Sequence, residues 1–117
     1  MSIGNEASQV AKIFFALSHP LRLAICITLK DAPKSVNELC QLLDTKQYMV
    51  SQQLSILREN KIVDHMRVSR HMIYSIASPN IIALINLAFD ENHNKINLTS
   101  KATKKKENAF SEFARIL

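Results

Sequence analysis

Residues 45–60 read TKQYMVSQQLSILREN. Lys46, Gln47, Tyr48, Ser51, Gln52, Gln53 and Ser55 gather amides, hydroxyls, a phenol and an ammonium into one short stretch. Amides and hydroxyls form hydrogen bonds with base edges in the major groove of DNA, and Gln matches adenine in bidentate fashion. Lys and Arg hold phosphates instead. On a helix, Val50, Leu54 and Leu57 fall at i, i+4 and i+7 and make a narrow apolar stripe. Tyr48 and Gln52 lie one turn apart on another side. A solvated helix in a basic protein tends to carry Glu and Lys at i,i+4 spacing, which this one lacks. Taken alone, the face suits a solvated helix as well as one that reads DNA.

Other reactive groups are sparse. There are two cysteines, Cys26 and Cys40, and four histidines. In a reducing compartment two cysteines do not make a disulfide framework. Soft-metal sites need several thiolate or imidazole ligands at fixed geometry. Only His65 and His71 fall close together, in one predicted hairpin, and two hairpin histidines more often face solvent than hold a metal. No metal and no other cofactor is expected. An enzyme is not expected either: the chain has one glycine, so no Gly-rich phosphate loop, and no nucleophile–base pair stands out by spacing.

The elements that must position the polar stretch follow from periodicity. Val10, Ile13, Phe14 and Leu17 predict a first helix over 6–17. Pro20 opens a second, from about 20 to 30, apolar on most sides and hence buried. Asp31-Ala32-Pro33-Lys34 reads as a loop. Ser35-Val36-Asn37-Glu38 is a capping box, and Val36, Leu39, Leu42 and Leu43 form the apolar face of a short helix over 36–43. Thr45 is the expected N-cap of the next helix, and Asn60 the left-handed residue that ends it. Residues 62–76 alternate, predicting two strands joined near Ser69. Pro79 opens a further helix. Residues 91–106 form a polar basic linker, and Phe110, Phe113, Ala114 and Leu117 space a short amphipathic helix over 107–117. Residues 1–90 would thus form one mainly α domain with a small β-hairpin.

The chain has 117 residues, 47% of them hydrophobic, which suffices for a globular core. Its +5 charge is uneven. Residues 1–92 hold nine Lys/Arg and eight Asp/Glu, whereas 93–117 hold six and two. Most of the excess therefore lies in the tail, and net charge says little about the globular part. No apolar run is long enough to span a bilayer, and the N-terminus lacks a signal-peptide layout, so a cytoplasmic protein without membrane contact is expected.

Two helices, a short helix, a longer helix, a hairpin and a last helix follow the order of a winged helix-turn-helix. There the short helix crosses the backbone and the next enters the major groove. LSHPLRLAI, SVNELCQLLD, YMVSQQLSILRENKIV and RHMIYSI resemble the consecutive signatures of the ArsR/SmtB family of bacterial repressors, over about residues 8–90. The resemblance implies a homodimer joined through its first and last helices, bound to double-stranded operator DNA and released by an inducer whose identity is unknown. It carries Lys46, Gln47, Tyr48, Ser51 and Gln52 over as the DNA-reading residues. The family often has His where Gln53 stands. Arg67 and Arg70 flank the hairpin tip and would contact phosphate or the minor groove. The family commonly has Gly at this turn; here it is Ser69.

The resemblance also implies which sensors are absent. The family's short-helix metal site needs Cys-x-Cys where this chain has Ser35 and Asn37. Its last-helix site begins with Asp and His where Ser78 and Asn80 stand. The nearest branch senses reactive sulfur and oxidants with two cysteines, at positions matching Ile27 and His93. Cys26 is one place off, and Cys40 has no counterpart, which leaves these two as the redox-sensing candidates. The competing reading is a winged-helix protein-interaction module that reads no DNA.

Overall fold

The computed structural model describes residues 2–89. The linker expected over 91–106 and the helix expected over 107–117 lie outside these residues. Helix α1 (Ile3–Leu17) starts three residues before periodicity placed it. Ser2 explains the difference: its Oγ accepts from the Asn5 N–H at 3.2 Å and so caps the extra turn. Helix α2 (Pro20–Leu29) leaves α1 at 93°. Pro20 suits its first turn, and His19 Nδ1 accepts from the Leu21 N–H at 3.2 Å. No single helix among the described residues is long and apolar enough to cross a membrane.

Strand β1 (Lys34–Ser35) occupies part of what sequence suggested was loop. It pairs antiparallel with β3 (His71–Ile76), aligning Lys34 with Tyr74 and Ser35 with Ile73. β2 (Val63–Val68) pairs with the other edge of β3, from Val63↔Ile76 to Val68↔His71. The hairpin is therefore the larger part of a three-stranded sheet ordered β1-β3-β2. Between them run α3 (Val36–Leu43) and α4 (Gln47–Glu59), and α5 (Pro79–Phe89) follows the sheet.

One core joins these elements. Leu21, Ile25, Cys26 and Leu29 of α2 meet Leu39 and Leu43 of α3, Val50, Leu54 and Leu57 of α4, Ile62, Val63, and Ile81 and Ile85 of α5. Each aliphatic side chain buried here contributes about 1.5–3 kcal/mol relative to exposure. Leu42, expected on the buried face of α3, is 61% exposed. It lies about 60° further round the helix than Leu39, beyond the edge of the stripe set by Val36, Leu39 and Leu43.

Both helices of the central pair end in the same way. After α3, Asp44 takes φ 48°, the Thr45 N–H donates to Cys40 O at 3.1 Å, and the Asp44 N–H to Gln41 O at 3.4 Å. After α4, Lys61 takes φ 60°, the Ile62 N–H donates to Leu57 O at 2.9 Å, and the Lys61 N–H to Arg58 O at 3.0 Å. These paired bonds are the Schellman arrangement, and at α4 Ile62 and Leu57 are both buried in the core cluster. The left-handed residue is thus Lys61 and not Asn60, whose φ is −91° and whose side chain bonds Ile56 O instead. Asp44, Lys61 and Ser69 all sit at positive φ, while the lone glycine, Gly4, lies inside α1.

Candidate nucleic-acid interface

The helix-turn-helix is built from α3, the Asp44 turn and α4. Both halves of the expected capping box form: Ser35 Oγ accepts from the Glu38 N–H at 3.1 Å, and Glu38 Oε1 accepts from the Ser35 N–H at 2.9 Å. The bond from the Ser35 backbone holds the Glu38 carboxyl below its usual range. Thr45 does not cap α4. Its hydroxyl donates to Leu43 O at 2.8 Å, which spends it on the end of α3. Lys46 stands at the N-cap without a side-chain hydrogen bond, and the first turn of α4 carries no acidic residue. The positive end of that helix and the Lys46 ammonium together suit a phosphate.

Along α4 the division of faces is sharp. Val50, Leu54 and Leu57 are fully buried, and Met49 is half-buried against the core. Lys46, Gln47 and Gln52 are exposed and Ser51 half-buried. Tyr48 is 68% exposed, well beyond what a phenol packed into its own domain would show. The structure brings Tyr48 and Gln52 to one side of α4, a turn apart, with their donors and acceptors open.

Gln53 is engaged differently. Its Oε1 accepts from Arg22 Nη1 at 3.0 Å. Arg22 also donates from Nε to Ala16 O at 2.7 Å and from Nη2 to Phe15 O at 3.4 Å, and it lies 5.7 Å from the Phe15 ring centroid. It is the only charged residue buried among the described residues. Sequence reasoning passed over it. The signal was present, because a lone cation in the apolar stretch PLRLAICITL must find partners once that helix is buried.

The wing carries Arg67, on β2, and Arg70, in the turn after Ser69; both are exposed. Ser69 takes φ 58°, the left-handed conformation that glycine adopts most easily. At the base of the wing, the His65 ring stacks on Tyr74 with centroids 5.7 Å apart. Arg58 Nη1 donates to His65 Nε2 at 3.2 Å, which requires an unprotonated Nε2 and ties the end of α4 to β2.

Both cysteines are free. Burial pushes the Cys26 thiol up to about 12, against a smaller opposing pull from the Arg22 guanidinium. Such a thiol stays protonated near neutral pH and is a poor nucleophile. Cys40 is half-buried on α3. Among the described residues no group of three or more His, Cys, Asp or Glu is arranged to hold a metal ion.

Comparison with known proteins matches residues 17–65 to a family described as a helix-turn-helix domain. The chain is 39% identical over 85 residues to a biofilm growth-associated repressor of Agrobacterium fabrum, covering 73% of each sequence. It is 34% identical over 80 residues to a transcriptional repressor SmtB homolog of Synechocystis, covering 68% of this chain and 61% of that one. Among solved structures, the transcriptional repressor BigR of Xylella fastidiosa superposes with a TM-score of 0.70 at 33% identity, over 77% of this chain and 95% of the other.

Proposed function

The chain belongs to the ArsR/SmtB family of winged helix-turn-helix transcriptional regulators, and from that premise we propose that it is a homodimeric repressor that grips operator DNA through α4 and the wing. One observation carries the reading: α4 buries Val50, Leu54 and Leu57 completely while leaving Lys46, Gln47, Tyr48 and Gln52 open. Gln47, Tyr48, Ser51 and Gln52 read base edges in the major groove. Lys46, Arg67 and Arg70 neutralise phosphate and set the salt dependence.

The dimer is supported by apolar surface. Phe14 is 55% exposed on α1 and Leu87 is 79% exposed on α5. These open side chains lie on the first and last described helices, the ones through which the resemblance joins the dimer, and a two-fold pair of reading helices matches two half-sites one helical turn apart. DNA binding places the protein's work in the cytoplasm. Release from the operator is by an inducer, to be sought by adding oxidants, persulfide donors and metals to the protein–DNA complex, with Cys26/Cys40 double Ser protein alongside.

The test is selection of duplexes from a randomised pool by purified protein at low salt, with the oligomeric state measured in parallel. Enrichment of a two-fold symmetric motif by a dimer, weakening steeply with salt, is the expected result. Protein that retains no duplex at low salt would contradict the proposal.

A further inference from the structure

Arg22 joins three parts of the fold that meet nowhere else through polar side chains among the described residues. Its Nε and Nη2 bond Ala16 O and Phe15 O, in the last turn of α1. That turn has no basic residue of its own, so Arg22, reaching from α2, is the cation at the negative end of the α1 dipole. Its remaining bond, from Nη1, goes to Gln53 on α4. Gln53 directly follows Gln52, which is exposed. The Phe15 ring facing the guanidinium is 64% exposed on α1. One buried planar group thus spans from the helix with the open apolar surface to the helix with the open polar one. Its fork fixes direction as well as distance.

We propose that Arg22 and Gln53 are positioning residues that lock α4 at a fixed angle to α1, and so set the half-site spacing that the dimer accepts. The inference rests on the dimeric DNA-reading function proposed above. In a two-fold dimer joined partly through α1, the separation of the two reading helices depends on how each is held to its own α1. The core alone permits small rotations of α4 about its buried stripe, since aliphatic contacts are non-directional. The Arg22–Gln53 bond removes that freedom. Gln53 is accordingly a bracket and not a reader, with its side-chain oxygen held by Arg22.

Gln53 is half-buried, and Arg22 keeps its two α1 carbonyls when the amide is removed. Gln53→Ala therefore tests the link without unfolding the domain, which a thermal melt verifies. Gln53→Glu supplies an oxygen at the same place and is the rescue variant. Full-length wild type, Gln53→Ala and Gln53→Glu are each used to select duplexes from a randomised pool. Wild type should enrich half-sites at one spacing. Gln53→Ala should enrich the same half-site bases over a broader range of spacings, with affinity for the wild-type site falling roughly tenfold, as for other networked partners. Gln53→Glu should restore the narrow spacing. A changed base preference at unchanged spacing would make Gln53 a reader and overturn the proposal. Selection by Gln53→Ala identical to wild type in both base and spacing would overturn it equally. Failure of wild type to enrich any sequence is a different result: it removes the DNA-reading function itself.

Discussion

Two surfaces of this domain are open for opposite reasons. Along the first half of α4, the exposed side chains are polar and uncharged, Gln47, Tyr48 and Gln52, preceded by Lys46; the charged Arg58 and Glu59 are exposed only at its far end. On α1 and α5 they include Ile3, Val10, Phe14 and Leu87, which are apolar. Neither pattern is that of an ordinary solvated helix, which mixes Lys and Glu. The first surface presents hydrogen-bonding groups whose pattern carries information, as base edges demand. The second presents apolar area without pattern, which suits the proposed burial against a second copy. The contrast shows that exposure alone says little about function; the chemistry of what is exposed says which partner is missing.

The largest effect should come from the apolar side. Phe14→Glu places a charge in the proposed dimer surface and should yield monomers. A monomer engages one half-site, so apparent operator affinity should fall by about 10²- to 10⁴-fold. Sedimentation alongside a binding titration checks both, and a dimer that persists with full affinity would break the contrast from that side. Next is the buried stripe that both surfaces depend on. Leu54 is 1% exposed, and Leu54→Ala should cost about 2–5 kcal/mol of stability in denaturant titration. Arg70→Ala should act more gently. It should weaken binding to every duplex and reduce the slope of log affinity against log salt by about one. A loss confined to one DNA sequence would make Arg70 a base reader and sharpen the wing's role differently.

The smallest effect concerns pH. His19 caps α2 through an unprotonated Nδ1. Burial, and secondarily the Arg22 charge, lower its affinity for a proton. The unfolded chain then binds more protons than the folded one as pH falls through the ordinary histidine value of about 6.5. Stability contributed by His19 is complete above that value and declines below it. His19→Asn keeps a capping oxygen and should flatten the decline, measured as thermal midpoints between about pH 7.5 and about pH 5.5.

Much of this was legible in the sequence because helical stripes and capping boxes are local. Val50, Leu54 and Leu57 identify the buried side of α4 by spacing alone, and Ser35 with Glu38 announces the start of α3. What was missed depends on tertiary partners. β1 is two residues long and exists because β3 offers it an edge; nothing in Lys34-Ser35 alternates. Asn60 was the natural choice for a left-handed helix end, yet the bonding pattern of α4 puts that conformation one residue later, on Lys61. Gln52 and Gln53 are adjacent and chemically identical. Only the position of Arg22, thirty-one residues before Gln53 in sequence, separates an open amide from a held one. Leu42 shows the reverse limit: an apolar residue on a short helix was assigned to the core, but the core ends at Leu39 and Leu43.

The central claim is that the open polar side of α4 reads sequence. It is tested most directly by measuring Gln52→Ala against wild type on a selected operator and on a random duplex at the same salt. The account predicts that the gap between the two affinities shrinks by about 1–3 kcal/mol, with binding to random duplex nearly unchanged. Equal loss on both DNAs, or none on either, would contradict it.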